Sequence, residues 1–576
     1  MSAFLSNQEI NRAVDLLMNT YEVPGRLIQG LLGKENMKEI SRHYRTFQGV
    51  NLTTKELARM VVIEKGAELL KGSHQAVRQL REHLLRQLPD EQLVALYERN
   101  PRSGKKITSP SYMYKALAEK RWSDGRVWPR DFVVTLGFPL VFSGVKVPQA
   151  TKQSAVMDVE ARKPVPPLVD FQAQLKDDML DVLELNGDRT RCIVTLPTGG
   201  GKTRVAVESF IEWMHVHFSE QKYMIWIAQS AELCEQAISC IADMWQEKEY
   251  PESLRIYRYF NGHDIGIEDL TGGAVVASIQ QIVSRLKGED PVLTEILQNC
   301  GAMIIDEAHH AAAPSYKLLI NKARELCGED LFPVCGLTAT PGRSFGETDQ
   351  LVGEFEAHLI KPKLPNYAEY EVNPISFFRD EGYLATPVHI IHESGKDYEV
   401  DEDKIDENHD LNKEFLKVLA ADEERNEMII ERLLDIPKGK PALVYACTVE
   451  HAEFLSSVMN ALGRKAASIS SQTSKGLRRI YIDAFKNGEL DYLFNYGVLT
   501  TGFDAPNTEY IVITRPTTSD ILYEQIIGRG LRGPKFGGTE QCAIIDFADN
   551  LMRLGKPLAY TRFEQFWGAE KVENLR

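Results

Sequence analysis

Apolar residues near the start of the chain recur at three- and four-residue spacing, which is the period of amphipathic helices. The pattern covers Asn7 to Met18 and Thr54 to Leu70, and Ser73 to Leu88 continues it with charged residues on the opposite face. The sequence therefore predicts a mainly α-helical domain over residues 1–150.

Short β-rich runs dominate the chain beyond residue 167, and each is followed by turn residues and a helical pattern. The first set is Cys192–Leu196, Tyr223–Ala228, Ala274–Ala277, Ala302–Ile305 and Val334–Leu337, and the second is Ala442–Ala446, Ala466–Ile469, Tyr492–Asn495, Tyr510–Thr514 and Cys542–Ile545. Strands that alternate with helices predict parallel sheets covered on both faces. The expected fold class is α/β, with a first lobe at residues 167–385 and a second at residues 386–576.

Two stretches follow neither pattern. Val145 to Pro167 contains four prolines, which predicts a domain boundary with a linker over residues 151–166. His392 to Asp410 is acidic and predicts a surface loop between the two sheets.

At roughly 100 to 200 residues per domain, the length of 576 residues predicts roughly three to five domains. Because 43% of the residues are hydrophobic, each domain can bury a core of its own. No apolar run approaches the ~20 residues that a membrane-spanning helix needs, and Met1 to Ile10 lacks the order of a secretory signal. The eight cysteines are scattered without a Cys-x-x-Cys pair. These features argue against a zinc ribbon, a disulfide scaffold or a membrane protein and predict a reduced, cytoplasmic protein.

The net charge of −15 is unevenly divided along the chain. Residues 1–150 hold 23 Lys and Arg against 15 Asp and Glu, whereas residues 151–576 hold 44 against 67. A basic domain is thus joined to an acidic one. This asymmetry fits a polyanion-binding surface on the first domain. It fits equally two solvated surfaces whose net charges differ only through evolutionary drift.

The densest basic stretch runs from Pro101 to Arg130 and interleaves cations with aromatic residues. Cations that pair with phosphates, beside rings that stack on bases, form a single-strand binding surface. The candidate nucleic-acid contacts are Lys105, Lys106, Lys120, Arg121, Trp122 and Trp128. The alternative is that the tryptophans form the core of a small helical domain.

A glycine-rich loop joins the first strand of the first lobe to a helical pattern. It reads Pro197-Thr198-Gly199-Gly200-Gly201-Lys202-Thr203. Such glycines let backbone N–H groups point at phosphate oxygens, while the lysine suits the β- and γ-phosphates and the threonine hydroxyl suits Mg²⁺. The usual loop opens with Gly or Ala, but Leu196 holds that position here. Strand, loop, Gly-Lys-Thr and helix in this order predict a nucleotide-phosphate site.

Two carboxylates follow the apolar run Ala302–Ile305, downstream of the phosphate loop. Asp306 is expected to anchor Mg²⁺, usually through water, and Glu307 to orient and deprotonate the attacking water. Asp-Glu pairs are common on surfaces. A pair at the end of a buried strand that follows a phosphate loop points instead to nucleotide hydrolysis.

At these positions the chain resembles superfamily 2 helicases and translocases of the Asp-Glu-Ala-His type, and the resemblance covers roughly Pro167 to Asp546. The motifs appear in order: Phe171-Gln172 resembles the adenine-reading glutamine motif, the phosphate loop motif I, Ala228-Gln229-Ser230 motif Ia, Ser278-Ile279-Gln280 motif Ib, Asp306 to His309 motif II, Thr338 to Pro341 motif III, Leu443 to Cys447 motif IV, Thr500 to Pro506 motif V and Gln525 to Arg532 motif VI. Motif Ia has Gln-Ser where Pro-Thr is usual. The sequences around Phe503 and Gly528 look most like those of the motor subunits of type I and type III restriction enzymes and related bacterial DNA helicases. Residues Glu381–Leu384 also resemble the link between the lobes in that group.

The resemblance implies two RecA-like lobes with an ATP site between them. The nucleotide-binding residues it implies are Gln172, Thr198, Gly199, Gly200, Gly201, Lys202, Thr203, Gly502 and Asp504, with Thr203 and Asp306 on Mg²⁺. The catalytic residues it implies are Glu307, Gln525, Arg529 and Arg532, with the arginines placed on the γ-phosphate. His309, Thr338 and Thr340 lie between the ATP and nucleic-acid sites in the family pattern, so they are candidates for coupling.

The function that the resemblance implies is ATP-dependent movement along nucleic acid, with DNA the favoured track, or its unwinding, with little sequence specificity. Two alternatives stay open: an ATP-gated clamp that regulates a partner nuclease without processive movement, and an RNA helicase. The sequence contains no recognisable nuclease constellation. A role in defence, restriction or repair would therefore require a separate nuclease or methyltransferase subunit.

Overall fold

The structure, a computed structural model, describes residues 5–32, 34–101, 109–144, 156–159, 166–248, 250–328, 332–339, 351–365, 374–392, 410–473, 475–499, 507–517, 520–547 and 573–574. A helical domain is followed by two lobes, each built on a mostly or wholly parallel sheet with helices around it. The predicted α/β class, with tandem RecA-like lobes behind a helical domain, is confirmed.

Helices form the N-terminal domain. They are α1 (Asn7–Asp15), which continues as a π-helical turn (Leu16–Thr20), α2 (Gly25–Gly30), α3 (Lys34–Gln48), α4 (Thr54–Lys65), α5 (Gln75–Arg86), α6 (Asp90–Arg99), α7 (Pro110–Ala118) and α8 (Val127–Thr135), with 3₁₀ turns at Gly66–Glu68 and Leu140–Ser143. Capping boxes start two of them, with Ser6 and Glu9 on α1 and Thr53 and Glu56 on α4. The three predicted helices are present, but α4 ends early because Gly66 takes a φ of +49°.

The aromatic residues proposed as base-stacking platforms lie in the core of this domain. Trp122 is 8% exposed and Trp128 is 4% exposed, and their rings meet edge to face at a centroid distance of 6.4 Å. Each ring also packs on Phe132 at 5.4 Å. Rings enclosed in this way present no face to a base. The prediction that Trp122 and Trp128 stack on nucleic acid is therefore wrong, and the core alternative holds.

Lys120 is likewise committed to the structure of the domain. Its Nζ donates hydrogen bonds to the backbone carbonyls of Asn100 and Pro101 at 2.9 and 3.0 Å, and burial lowers its pKa. Lys120 therefore stabilises the fold and does not offer a free cation to phosphate, which corrects the prediction. Arg121 is exposed. Lys105 and Lys106 lie outside the described residues.

An eight-stranded sheet in the order β1-β4-β5-β3-β6-β7-β2-β8 forms the first lobe. Its strands are β1 (Val156–Val159), β2 (Arg191–Thr195), β3 (Tyr223–Ala228), β4 (Leu254–Tyr259), β5 (Gly273–Ser278), β6 (Cys300–Asp306), β7 (Val334–Thr338) and β8 (Leu359–Ile360). The helices of this lobe are α9 (Asp170–Leu183), α10 (Lys202–Val216), α11 (Ala231–Glu247), α12 (Ile279–Lys287), α13 (Pro291–Gln298) and α14 (Pro314–Cys327). Only the β1–β4 pair is antiparallel among the described strands, so the functional loops gather at the carboxyl ends of the others.

A seven-stranded parallel sheet in the order β11-β12-β10-β13-β14-β9-β15 forms the second lobe. Its strands are β9 (Thr386–His392), β10 (Ala442–Tyr445), β11 (Ala466–Ile469), β12 (Tyr492–Asn495), β13 (Tyr510–Ile513), β14 (Gln541–Phe547) and β15 (Glu573–Asn574). The helices from the interlobe connection onward are α15 (Pro374–Asp380), α16 (Lys413–Ala420), α17 (Glu423–Asp435), α18 (Val449–Ala461), α19 (Lys475–Lys486) and α20 (Asp520–Ile527).

All ten predicted strands are present, and the sequence missed β1, β4, β8, β9 and β15. Strand β1 lies within residues 151–166, which were predicted as a linker, and it pairs with β4 at the edge of the first sheet. That stretch therefore extends the lobe instead of merely joining it. Residues 393–409, most of the predicted acidic loop, lie outside the described residues. None of the helices in the described ranges combines the length and apolar character needed to cross a membrane.

The N-terminal domain packs directly on the second lobe, with α3 and α4 against α18. His43 is 1% exposed, and its ring lies 5.5 Å from that of Phe454. Ser457 Oγ donates to the Glu64 carboxylate, and the Tyr481 hydroxyl donates to the Glu64 carbonyl at 3.2 Å. Apolar side chains of both bodies form one continuous core. The domain is therefore a fixed extension of the second lobe.

Glu64 should make the stability of this interface depend on pH. Its side chain is 13% exposed, and burial raises its pKa above the ordinary value of 4.5. The folded protein thus holds this proton more tightly than the unfolded chain, so stability falls as the pH rises from 4.5 through the raised pKa. Glu64→Gln keeps the shape and an acceptor for Ser457 but cannot titrate. We expect this variant to flatten the decline of melting temperature with pH.

Part of that decline should remain in the variant, because burial also raises the pKa of Glu453. Glu91→Gln, at an exposed position on α6, is the matched control and should follow the wild type. If the melting temperature of Glu64→Gln fell with pH as steeply as that of the wild type, Glu64 would have no part in this dependence.

Candidate active site

The glycine-rich loop takes a backbone shape suited to phosphate. Between the end of β2 and the start of α10, Gly199 and Gly201 both have a φ of +88°, a region that is costly for residues with a Cβ. Thr198 and Gly200 complete the turn, and Thr203 lies in the first turn of α10. The positive end of the helix dipole and the N–H groups before it favour an anion. Loop and helix together form an anion-binding turn.

Lys202 and Gln172 both hydrogen bond to the backbone of this loop. Lys202 Nζ donates to the carbonyls of Leu196 at 3.0 Å and Pro197 at 3.5 Å. Gln172, which is 2% exposed on the first turn of α9, donates from Nε2 to the Gly200 carbonyl at 3.1 Å. Gln172, the candidate for binding the adenine, and Lys202, the candidate for binding the phosphates, therefore both contact the same turn.

Asp306 and Glu307 stand at the carboxyl end of β6, two strands from the phosphate loop. Burial, and then the charge of Glu307, raises the pKa of Asp306, whereas Lys202 and Arg529 lower it. Glu307 has a left-handed backbone, with φ 51° and ψ 49°, and its N–H donates to Asp306 Oδ1 at 3.0 Å. Such strain costs roughly 1–3 kcal/mol and clusters at active sites. It fixes the direction of the Glu307 carboxylate relative to Asp306.

His309 links the carboxylates to the next strand of the sheet. Its Nδ1 lies 3.1 Å from the Thr338 hydroxyl, at the end of β7, and 3.4 Å from Glu307 Oε2. His309 and Thr338 are both buried. The ring thus contacts residues of motif II and motif III together. Thr340 lies outside the described residues.

Motif VI of the second lobe faces the same carboxylates. The charge of Arg529, just after α20, partly offsets the rise in the pKa of Asp306 that burial and Glu307 cause. Gln525 is half-buried on α20, and Arg532 is half-buried beyond it. Gly502 and Asp504 of motif V lie outside the described residues.

The connection between the lobes forms a short antiparallel ribbon with the segment that carries Arg532. Leu384 pairs with Arg532 in this ribbon, and the Ala385 N–H donates to the Leu531 carbonyl at 2.9 Å. A Cβ on Gly199 would stand 3.1 Å from Leu384 Cδ2 and 3.5 Å from the Leu531 oxygen. The phosphate loop of the first lobe therefore touches the ribbon directly.

Aromatic packing holds this ribbon against the helix of Gln172. The ring of Phe171 lies 5.1 Å from those of Phe378 and Tyr383. Tyr383 packs in turn on Phe536 at 5.3 Å, and Lys535 Nζ lies 4.5 Å from the Tyr383 ring centre. Sequence reasoning noted the link at residues 381–384 but gave it no role. The closely spaced aromatic residues of this segment were the available signal.

Motifs Ia and Ib meet in a cleft of about 740 Å³ at the carboxyl ends of β3, β4 and β5. Ser230 and Ser278 cap α11 and α12, whose N-termini open onto it. Gln280 Nε2 donates to the Gln229 carbonyl at 2.8 Å. Arg285 at its edge is paired with Asp264 and Asp290. The cleft therefore offers mainly neutral hydrogen-bonding groups, not net positive charge.

Oxygen ligands that suit Mg²⁺ are present beside the phosphate loop, in the Thr203 hydroxyl and the Asp306 carboxylate. Mg²⁺ in nucleotide sites commonly takes one or two carboxylates, with phosphate oxygens and water completing its shell. The donor set therefore fits the ion. Across the described ranges no group of three or more His, Cys, Asp or Glu side chains is arranged to hold a metal by itself.

Two protein families match the chain in the order of its lobes. Residues 166–343 match the type III restriction enzyme, res subunit family, and residues 424–533 match the helicase conserved C-terminal domain family. The first match covers the phosphate loop and motif II, and the second ends just after motif VI.

Curated relatives include a protein named as the ATP-dependent helicase IRC3 of Saccharomyces cerevisiae, 27% identical over 406 residues, which are 66% of this chain and 51% of the relative. The protein named as the mitochondrial ATP-dependent helicase irc3 of Schizosaccharomyces pombe is 28% identical over 374 residues, 64% of this chain and 55% of the relative. The chain thus spans about half the length of these relatives. Among solved structures, a fragment of a type I restriction enzyme HsdR subunit from Vibrio vulnificus matches at a TM-score of 0.48 and 19% identity, over 70% of this chain and 67% of that one.

Both family matches fall on lobes that meet where the phosphate loop contacts motif VI. The chain therefore combines a first domain of the type III restriction enzyme Res family with a helicase conserved C-terminal domain, in agreement with its resemblance to superfamily 2 helicases.

Proposed function

We propose that this protein is a nucleic-acid-dependent ATPase that uses hydrolysis to move along DNA or unwind it. One observation carries the proposal: motif VI of the second lobe lies against the phosphate loop of the first, since a Cβ on Gly199 would stand 3.5 Å from the Leu531 oxygen. Opposed groups on two lobes, beside an anion-binding turn, suit a ligand that bridges them. ATP would favour the closed arrangement and hydrolysis would release it, which is a two-state cycle biased by the γ-phosphate.

The first lobe supplies the groups that would bind the triphosphate. The loop N–H groups and the N-terminus of α10 suit phosphate oxygens, and Lys202 can exchange its two loop carbonyls for the β- and γ-phosphates. Thr203 and Asp306 would hold Mg²⁺, which when bound neutralises charge on those phosphates. Gln172, already against the loop, is the candidate for the adenine.

Glu307 and motif VI would supply the catalytic groups. Glu307 would accept a proton from the attacking water, in a direction set by its strained backbone. Arg529 and Arg532 would neutralise charge at the γ-phosphate, and arginine fingers contribute on the order of 10³–10⁵ in rate in related nucleotidases. Gln525 precedes Arg529 by one turn of helix and is the candidate for assisting it.

DNA is the proposed track, and the contacts proposed for it are to its backbone. The amides, hydroxyls and helix N-termini of the motif Ia and Ib cleft suit phosphate and sugar groups, which carry no sequence information. The Res-subunit match of the first lobe supports a restriction-type motor. We therefore propose a defence, restriction or repair system in which a separate subunit supplies the nuclease or methyltransferase.

ATPase rates with duplex DNA, single-stranded DNA and RNA test this proposal when they are joined to strand- and triplex-displacement assays. Stimulation by DNA with displacement is the expected result. Hydrolysis without displacement would favour an ATP-gated clamp that regulates a partner. Stronger stimulation by RNA would favour an RNA helicase.

A reducing compartment, the cytoplasm, is the proposed location. All eight cysteines are free thiols. The sulfur atoms of Cys192 and Cys335 face each other at 3.4 Å across β2 and β7. Thiols this close are best preserved where glutathione or thioredoxin keeps them reduced.

Lys202→Ala and Glu307→Gln should fail at different steps. Without its cation the loop should lose both ATP binding and hydrolysis. Glu307→Gln keeps the side-chain shape and leaves Asp306 for Mg²⁺, so the variant should bind ATP, stall in hydrolysis and retain nucleic acid in the closed state. Fluorescent-nucleotide binding, ATPase rate and DNA dissociation rate measure the three effects. Near-normal turnover in Glu307→Gln would remove this residue from its assigned role.

Arg532→Ala should separate hydrolysis from nucleotide binding. We expect kcat to fall by roughly 10³-fold or more, while nucleotide affinity changes little because the first lobe supplies the phosphate loop. Arg479→Ala is the matched control in the same lobe, since its side chain is 86% exposed and ion-pairs with nearby Asp483. Equal turnover in the two variants would contradict the two-lobe site.

Leu384→Ala should weaken the mechanical contact between the phosphate loop and the Arg532 segment. The Cδ2 methyl that this change removes lies 3.1 Å from where a Cβ on Gly199 would stand, so we expect kcat to fall about tenfold while KM for ATP stays within about twofold. Leu384→Met refills the space and should restore kcat. A rise in KM at unchanged kcat would show that Leu384 acts on binding alone, and melting temperatures exclude a general loss of folding.

A further inference from the structure

The N-terminal domain carries exposed cations that the motor site does not use. Arg126, Val127, Arg130 and Val134 on or beside α8 are all exposed. At 3.6 residues per turn these positions share one face of the helix. Arg121 is also exposed, and it adjoins Trp122, whose ring packs near the first turn of α8. We name Arg121, Arg126 and Arg130 the basic face.

Two nearby aspartates contact residues outside this face. Asp124 is bound by Lys71 at 2.8 Å, and Asp131 accepts a hydrogen bond from Asn100 at 2.7 Å. Within the described ranges no ion pair is formed by the three arginines of the basic face. Exposed cations without a carboxylate partner are the electrostatic footprint of a polyanion-binding surface.

We propose that the basic face binds the phosphate backbone of duplex DNA, as a second contact in addition to the cleft of motifs Ia and Ib. A single strand is normally held by rings that stack on its bases, but Trp122 and Trp128 are enclosed in the core. Cations without stacking rings suit a backbone whose bases are already paired. This inference rests on the proposed function, because it adds a substrate contact to the same motor.

The position of the basic face gives the contact a role in the motor cycle. Helices α3 and α4 dock on the second lobe, whereas α8 packs on α6 and the 3₁₀ turn at Leu140–Ser143. Because the domain is fixed to the second lobe, the basic face must move with that lobe relative to the first. A duplex held there would be displaced relative to the cleft of motifs Ia and Ib each time the lobes close.

Reversing the charges of the basic face tests the proposed DNA contact better than deleting the N-terminal domain does. Removing residues 1–150 would uncover Phe454 on the second lobe and take Glu64 from Ser457. A loss of DNA binding could then come from a damaged lobe. Substitution of exposed arginines leaves that interface intact.

The experiment uses the full chain with Arg121→Glu, Arg126→Glu and Arg130→Glu combined. The matched control combines Arg45→Glu, Arg59→Glu and Arg78→Glu, which are exposed on α3, α4 and α5. Both variants change the net charge equally, so only the location differs. The probes are a short blunt DNA duplex and a single strand of the same sequence, with affinities measured without ATP over a range of salt concentrations.

For the basic-face variant we expect the slope of log affinity against log salt on the duplex to fall by about 0.9 for each phosphate that the protein no longer binds, or up to about 2.7 in all. Duplex affinity at low salt should fall at least tenfold, with a smaller decrease for the single strand. The control should keep most of the wild-type slope. If melting temperatures show unfolding, Arg→Gln substitutions at the same three positions replace the reversals.

Equal slopes in the two variants would overturn the proposal and leave a protein partner as the occupant to seek. A larger decrease for the single strand than for the duplex would overturn the duplex assignment. These failures differ from a failure of the motor proposal, which would appear as a wild-type ATPase that no nucleic acid stimulates. The salt slope is measured without ATP and does not depend on that activity.

Discussion

The contact between the phosphate loop and the interlobe ribbon is the constraint on which the rest of the site depends. Gly199 lacks the Cβ that would stand 3.1 Å from Leu384, so the loop and the ribbon can share a surface. The ribbon also pairs with the segment of Arg532. Close-packed interiors transmit displacements instead of absorbing them. The lobes are therefore connected by packed atoms, and a change in the loop has a direct route to motif VI.

The N-terminal domain determines which parts of the protein would move together in the proposed ATP-driven cycle. Its α3 and α4 share a core with the second lobe, and polar contacts at Glu64 add specificity to that packing. The moving unit is then a lobe with its helical extension, opposed by the first lobe alone. Strand β1 enlarges the first lobe at its far edge, beside β4. If ATP closes the cleft as proposed, two large bodies would move relative to each other, and the surface of the helical domain would be carried along with the second lobe.

The sequence predicted what is encoded locally. Apolar runs gave ten strands, and residues that phosphate chemistry requires, such as Lys202 and Asp306, marked one end of the first sheet. What it missed depends on contacts between distant segments. Strand β4 carries Arg255 and Arg258 within its apolar pattern, and β1 is visible only through its pairing with β4. Trp122 and Trp128 were misassigned because an aromatic residue beside a cation has the same pattern in a core as on a binding surface. Burial alone distinguishes the two.

The uneven division of charge along the chain can be explained by comparing the motif Ia and Ib cleft with the basic face of the N-terminal domain. The motif Ia and Ib cleft is lined mainly by neutral donors, and its Arg285 is neutralised by two aspartates. A motor that steps must release each phosphate that it binds. Neutral hydrogen bonds can be exchanged with water at a small net cost, whereas each ion pair to a phosphate adds a counterion-release gain that must be reversed at every step. An acidic motor half with a neutral groove therefore suits movement, and a basic surface carried outside the groove can supply the attraction that keeps a polyanion near it.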